Sequence, residues 1–344
     1  MNKTLALKSR LNTTFGVLSL FSVILFIISV VSAVASIVFF GIAEVMNLSD
    51  ELYNDVNFYL LFAIPQVFLP ILTAAVGCLI PVFGKFSFKN CFKSEKVPFH
   101  YAILCVLIFP GLSTVVSYVS YYLTEALKLI GIPIADIEDS IPAPNGAFQI
   151  FVLFFVMAVL PAICEELIYR GFVLRGLSEF GKTGAIVVSS IAFGLMHGTV
   201  QQIPFAFAIG LFLGYVSLRF KSLILPVILH FINNFIACVI MVLQNYCDYE
   251  TVSAISFCLD LFFITVSLLA LAIFIILTVS DNNAAKMKAL DSVPCEADLA
   301  GESVVIEEKA SFRKSVTHSW GFWLFTGIYL FVTVTNVISM AFLS

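Results

Sequence analysis

Six polar side chains stand out in the middle of an otherwise apolar sequence because their types suit hydrolysis. They are Glu165, Glu166, Arg170, His197, His230 and Asn234. A carboxylate can act as a general base toward water, and imidazoles can move protons. An amide can donate a hydrogen bond to a carbonyl oxygen that becomes negatively charged. Together these groups predict a site that cleaves peptide bonds.

The spacing of these residues indicates which of them act together. Glu166 and Arg170 are four residues apart, so on a helix they share a face and form an ion pair. Glu165 points about 100° away and has no such local partner, which leaves it available for a proton from water. His230 and Asn234 are also four residues apart. The alternatives are that the acids cap a membrane edge and that His230 and Asn234 only join helices.

The composition explains why so few polar residues need to be considered. The chain has 344 residues, of which 60% are hydrophobic and 12% are charged. Soluble domains have about 45–50% apolar and about 25% charged residues. With a net charge of −4, a nucleic-acid binder is disfavoured as well, so no nucleic acid is expected among the partners. The composition predicts an all-α, polytopic transmembrane bundle in contact with membrane lipid.

Runs of about 20 apolar residues predict eight or nine spans. The candidate spans are 15–42, 57–83, 101–123, 148–168, 183–197, 203–218, 223–245, 254–280 and 319–343. They suggest three parts: N-terminal helices in 1–147, a core in 148–245 that holds the polar motifs, and C-terminal helices in 246–344. A polar linker, 281–318, interrupts the last part.

The positions of the basic residues predict the orientation. With the N-terminus inside and a crossing at each span, 17 of the 18 Lys and Arg residues lie on the inner side, and only Lys128 lies outside. Positive charge is typical of cytoplasmic loops. We therefore expect a multi-pass protein of the cell membrane with a cytoplasmic N-terminus.

The motif residues occur at different depths if every helix is straight, and this leads to two structural predictions. Glu165 comes deeper if its helix continues through Val173. His197 comes closer to Glu165 if spans five and six form a short hairpin whose tip, 198–202, is buried in protein. Asp260 also lies inside a span but belongs to no motif, and it is left out of the predicted site.

The three motifs in order resemble the CPBP family, which includes the type II CAAX prenyl endopeptidases and the bacteriocin-processing Abi proteins. Glu165 to Arg170 matches EExxxR, Phe193 to His197 matches FxxxH, and His230 to Asn234 matches HxxxN. The likeness extends over about 148–240. It implies a helical intramembrane endopeptidase whose cavity faces the cytosol.

The resemblance also implies roles for these residues. Glu165 would activate water with help from His197, while His230 and Asn234 would stabilise the oxyanion. Glu166 and Arg170 would be supporting residues.

No cofactor is favoured, but zinc remains possible. Its ligands would be Glu165, His197 and His230, since three protein ligands and a water are usual in catalytic zinc sites. Asn234 is a poor zinc ligand, and zinc would then need a separate base such as Glu166.

Two other functions remain open. One is a non-catalytic membrane immunity or scaffold protein of the same family, and the less favoured one is a proton-coupled transporter. As an enzyme, the chain would take a peptide or protein substrate from the membrane or the cytosol. That substrate is a CAAX-like protein, the leader peptide of a secreted peptide, or a membrane-embedded regulator.

Overall fold

The structure is a computed structural model that describes residues 3–134, 141–290 and 312–343. The described residues contain no strands. Nine main helices follow one another along the chain: α1 Lys3–Met46, α2 Asp50–Gly84, α3 Phe99–Leu129, α4 Ala147–Ser178, α5 Lys182–Met196, α6 Gln202–Arg219, α7 Ile224–Tyr246, α8 Tyr249–Leu290 and α9 Trp320–Leu343. A single helical turn, Phe88–Cys91, lies between α2 and α3.

Eight helices of this set are long and apolar enough to cross a membrane. The chain is therefore a multi-pass membrane protein, as its composition predicts. The ninth, α5, has 15 residues and extends only about 22 Å at 1.5 Å per residue, less than the hydrocarbon core of a bilayer. The orientation of the helices in the membrane and the three-part division of the chain stay predictions.

Several helices are longer than the predicted spans, including α1, α4 and α8. The first helix begins at Lys3, earlier than the predicted start at 15. Helix α4 runs on to Ser178, which confirms that it continues through Val173. Helix α8 extends to Leu290 and so includes the first part of the predicted linker 281–318. The middle of that linker, 291–311, lies outside the described residues.

Helices α5 and α6 form the predicted hairpin because glycines let them approach closely. A Cβ atom on Gly194 would lie 3.0 Å from the Ile203 carbonyl oxygen, and one on Gly210 would lie 3.1 Å from the Ser190 Cβ. At the tip, Gly198 has a φ of +67°, which glycine adopts easily after a helix end.

The hairpin tip is covered by the last helix. Gly198 is buried, and residues 199–202 are only partly accessible. The side-chain amide of Asn336 on α9 donates a hydrogen bond of 3.2 Å to the Gly198 carbonyl. The predicted burial of the tip 198–202 in protein is therefore confirmed for Gly198 alone, whose carbonyl is bonded by protein at a depth where lipid offers no donor.

Helices α3 and α8 pack around an interruption in α3. Pro110 lies inside α3 and cannot donate a backbone hydrogen bond. One turn of α3 is instead bound by Ser267 of α8, whose hydroxyl accepts 3.0 Å from the Gly111 amide. The same hydroxyl lies 2.8 Å from the Leu107 and Ile108 carbonyls, to which it can donate.

The N-terminal part of the chain is tied to both α9 and α4. Asn12 Oδ1 accepts hydrogen bonds from the Ser319 hydroxyl at 2.8 Å and the Gly321 amide at 3.2 Å. Arg10 pairs with Glu179 at 2.8 Å and donates to the Gly176 carbonyl at 3.0 Å. The start of α1 and the end of α4 therefore lie at the same end of the bundle, as alternating spans require.

Gly111 gives a test of the α3–α8 contact. A Cβ atom at this position would overlap the backbone oxygen of Phe263 and the hydroxyl of Ser267. We expect Gly111→Ala to lower the free energy of unfolding by about 1–3 kcal/mol through overpacking. The measurement is unfolding of the purified protein by SDS titration.

The matched control is Gly327→Ala on α9, because nothing lies within 4 Å of a Cβ there. It is expected to be neutral or slightly stabilising, since alanine favours a helix. Equal behaviour of the two variants would contradict the close α3–α8 packing.

Candidate active site

The first motif of the candidate site is a fully buried ion pair on α4. Arg170 Nη1 lies 2.8 Å from Glu166 Oε1, and neither side chain is exposed. The guanidinium also stacks over the Phe193 ring at 4.2 Å, and its Nη2 donates weakly to the Gly210 carbonyl at 3.5 Å. Two helices of the hairpin thus hold Arg170 from the side opposite to α4.

The backbone of α4 changes its winding at this motif. An α-helical segment, Leu160–Glu166, is followed by a π-helical segment, Leu167–Leu174. π-helical turns are rare and are often found at functional sites. Despite the wider turn, Glu166 and Arg170 still meet, and the sequence carries no clear signal of this change.

His230 on α7 lies between the two glutamates of α4. Its Nδ1 lies 3.0 Å from Glu166 Oε1, where it donates to the carboxylate. Its Nε2 faces Glu165 Oε2 at 3.9 Å, which is too long for a direct hydrogen bond. The sequence predicts that Glu166 pairs with Arg170, but not that the same oxygen also holds His230.

Glu165 is the more exposed of the two acids, and it forms no ion pair with Arg170. Its side chain is 18% exposed, and its Oε2 is buried with no hydrogen-bond partner among the described residues. The same is true of Glu166 Oε2 and Arg170 Nε. Because buried polar atoms are nearly always satisfied, three such atoms in one place mark a site suited to a polar ligand or water.

His197 follows the end of α5 and is fixed by the backbone of that helix. Its Nδ1 lies 2.8 Å from the Phe193 carbonyl, one of the carbonyls that a helix end leaves unpaired. A carbonyl only accepts, so Nδ1 carries the proton and Nε2 of the neutral ring is left as an acceptor.

Phe193 brings the two histidines into one site. Its ring centroid is 5.0 Å from that of His197 and 5.8 Å from that of His230, and both contacts are edge-to-face. His197 also interacts electrostatically with Glu165 and His230. All of the first five motif residues therefore belong to one cluster around the α4–α5–α7 contact.

Asn234 lies one turn beyond His230 and binds the backbone of α4. Its amide donates 3.1 Å to the carbonyl of Met157, the carbonyl that residue 161 would bond in an α-helix. Residue 161 is a proline and has no N–H to donate. Pro161 thus frees a bond for Asn234, and this proline is a sequence signal that our sequence analysis missed.

Asn233 adds a second amide beside the motif. Its Nδ2 donates 3.1 Å to Asn234 Oδ1, and its own Oδ1 accepts from the hydroxyl of Ser113 on α3. A cavity of about 580 Å³ lies beyond this pair, among α3, α7 and α8. By the predicted topology it lies in the half of the bundle away from the cytosol, and the cytosol-facing cavity stays a prediction.

The possible zinc ligands do not form a metal cage in this arrangement. Within the described residues, no group of three or more His, Cys, Asp or Glu side chains is placed to hold a metal ion. His230 uses Nδ1 for Glu166 and Nε2 faces Glu165.

The buried ion pair gives the second testable prediction. Arg170→Met leaves the Glu166 carboxylate buried with one cation fewer, and we expect it to lower the free energy of unfolding by about 3–5 kcal/mol. The double variant Glu166→Gln/Arg170→Met removes both charges, so it should be less destabilised than the single variant. SDS titration of both proteins measures this. A double variant as unstable as the single one would contradict the pairing.

One comparison with known proteins found a match, and it lies in the segment that carries the motifs. Residues 147–236 match the family described as type II CAAX prenyl endopeptidase Rce1-like. A search of curated proteins and a search of solved structures found no match. The matched segment contains all six motif residues and lies almost entirely within the predicted core 148–245. This segment is therefore similar to the type II CAAX prenyl endopeptidases, as its motifs predict.

Proposed function

We propose that the chain is an intramembrane endopeptidase in which Glu165 activates a water molecule for attack on a peptide bond. One observation carries the proposal. Glu165 Oε2 faces His230 Nε2 across 3.9 Å and lacks a hydrogen-bond partner among the described residues. The neighbouring side chains thus hold the Glu165 carboxylate in place and leave its Oε2 atom without a hydrogen bond.

The gap between Glu165 and His230 suits one water molecule and one carbonyl group. Two atoms 3.9 Å apart can both lie within about 2.8 Å of a third atom beside them, which is an ordinary hydrogen-bond length. A water in that position donates to Glu165 and is turned toward the carbonyl carbon. A general base in such a position typically contributes about 10²–10⁴-fold to the rate.

We assign His230 as a hydrogen-bond donor to the oxyanion because of the partners that its two ring nitrogens face. Its Nδ1–H is committed to Glu166, so Nε2 can donate only when the ring is an imidazolium.

The reaction proceeds in two steps with these groups. The water oxygen bonds to the carbonyl carbon, its proton passes to Glu165, and the oxyanion accepts a hydrogen bond from His230. The C–N bond then breaks as the proton moves from Glu165 to the leaving amine. His197 assists as a second acceptor through Nε2, because its Nδ1–H is held by Phe193.

Asn234 supplies the second oxyanion donor in this proposal. Its amide has two N–H groups, and one of them is used on the Met157 carbonyl. The other is available to substrate. A single oxyanion donor typically contributes about 10²–10³-fold to kcat. Glu166 and Arg170 position His230 and do not contact the substrate.

Glu165 gives the most selective test of the catalytic assignment. We expect Glu165→Gln to lower cleavage by at least about 10²-fold, because an amide cannot accept the proton of water. The purified protein is incubated with a farnesylated CAAX peptide and with a hydrophobic leader-type peptide, and the products are identified by mass spectrometry.

The matched control is Glu44→Gln, which changes an exposed carboxylate on α1 and should leave cleavage unchanged. Unchanged cleavage by Glu165→Gln would remove Glu165 from the mechanism. A wild-type protein that cleaves neither peptide would favour the immunity or scaffold alternative.

The same assay tests whether cleavage depends on zinc. We propose that Glu165 acts without a metal, since Asn234 is a poor zinc ligand and His230 is bound to Glu166. Cleavage should then resist 1,10-phenanthroline, and elemental analysis should find no stoichiometric metal. Loss of cleavage that is restored by added zinc would contradict this and assign Glu165, His197 and His230 as ligands.

We propose that the protein lies in the cell membrane with its N-terminus in the cytoplasm. Glu51 and Lys89 are exposed beyond opposite ends of the membrane-crossing part of α2. In intact cells, a membrane-impermeant maleimide should label Glu51→Cys but should label Lys89→Cys only after lysis, each compared with the unmodified chain. The reverse pattern would contradict the orientation.

A further inference from the structure

The cavity next to Asn233 has several polar groups in its lining, although transmembrane helices form its walls. Its volume is about 580 Å³. Its polar lining includes hydroxyl, amide and carboxylate groups from three helices, namely Ser113, Ser117, Tyr118, Asn233, Gln244 and Asp260. Polar groups at membrane depth are costly and usually mark a path or a site for a polar ligand.

Asp260 is the charged group of this cavity. It lies in α8, inside the apolar span Tyr249–Asn283. Its Oδ2 accepts a hydrogen bond of 2.7 Å from the Tyr118 hydroxyl, which is a neutral donor. Among the residues that the structure describes, no Lys, Arg or His pairs with this carboxylate. A positively charged ligand is its natural complement.

A chain of hydrogen bonds connects the cavity wall to the active site. The Ser113 hydroxyl donates to Asn233 Oδ1, and the Asn233 amide donates to Asn234 Oδ1. Asn234 is the residue assigned to the oxyanion. The cavity wall at Asn233 is therefore one hydrogen bond away from the residue assigned to the oxyanion.

The dimensions of the cavity correspond to a short peptide. It follows α7 from Asn233 to Gln244, about 16 Å at 1.5 Å per residue, which an extended peptide covers with about five residues. On α3, Tyr118 lies five residues beyond Ser113, a rise of about 7.5 Å. This distance equals two or three extended residues.

We propose that this cavity is a substrate subsite and that Asp260 binds a Lys or Arg side chain two or three residues from the scissile bond. The link to cleavage rests on the proposed function, but binding to Asp260 does not require catalysis. The hydroxyl and amide groups of the lining hydrogen-bond the extended peptide backbone. Asp260 is then a specificity-determining residue outside the three motifs.

Binding is measured with full-length Glu165→Gln protein, so that the probe is not cleaved. The probes are three fluorescent Leu/Ala peptides that differ only in one central residue, which is Lys, Gln or Glu. The Lys peptide should bind about two- to fivefold more tightly than the Gln peptide, a range expected for a partly exposed ion pair. Adding Asp260→Asn should reduce this ratio to about one, and Asp260→Lys should favour the Glu peptide.

Tyr118→Phe is the control for a merely structural effect. It removes the hydrogen bond to Asp260 but keeps the carboxylate, so the preference for Lys should remain. An unchanged Lys-to-Gln ratio in Asp260→Asn would overturn the proposal. Equal binding of the three peptides would overturn it as well. If phosphatidylethanolamine also displaced the Lys peptide, the cavity would be assigned to a lipid headgroup.

Cleavage separates this proposal from the catalytic one. With catalytically competent protein, Asp260→Asn should raise KM for a Lys-containing peptide and leave kcat nearly unchanged. Glu165→Gln should lower kcat for every peptide. Normal cleavage by Glu165→Gln would remove the proposed mechanism and leave the binding result at Asp260 intact. By contrast, a lower kcat in Asp260→Asn with an unchanged affinity for the Lys peptide would overturn the subsite.

Discussion

The burial of charge around Glu166 is the constraint on which this structure depends. One carboxylate oxygen holds Arg170 at 2.8 Å and His230 at 3.0 Å, and the carboxylate and guanidinium are completely buried. Such groups are costly to remove from water, and their mutual attraction offsets that cost only when the geometry is good. The helices that carry them must therefore pack in one arrangement.

Several features of the fold maintain that arrangement. Glycines bring α5 and α6 together, which places Phe193 under Arg170 and between the two histidines. Pro161 leaves the Met157 carbonyl for Asn234. At the start of α7, the Ser94 hydroxyl accepts from the amides of residues 223 and 224 and so anchors the helix that carries His230. These contacts hold the side chains while Glu165 keeps one oxygen unpaired.

Much of this architecture is predictable from sequence because membranes impose simple rules. Apolar runs predict the spans, and the spacing of Glu166 and Arg170 predicts their pairing. The hairpin was predicted from the need to bring His197 near Glu165. By contrast, the contact of His230 with Glu166 joins residues 64 positions apart, and a single sequence carries no spacing rule for such a pair. The π-helical turn of α4 and the cavity beside Asp260 likewise arise from packing between helices.

Cleavage by the proposed mechanism requires that the scissile carbonyl lie between Glu165 and His230. A cryo-EM structure of the Glu165→Gln variant with an uncleaved peptide bound tests this. We expect one peptide carbonyl oxygen about 3 Å from His230 Nε2, a normal hydrogen-bond length, with its carbon facing the side chain at position 165. A peptide whose bonds all lie away from this pair, or a His230 turned from Glu166 toward another partner, would contradict this mechanism.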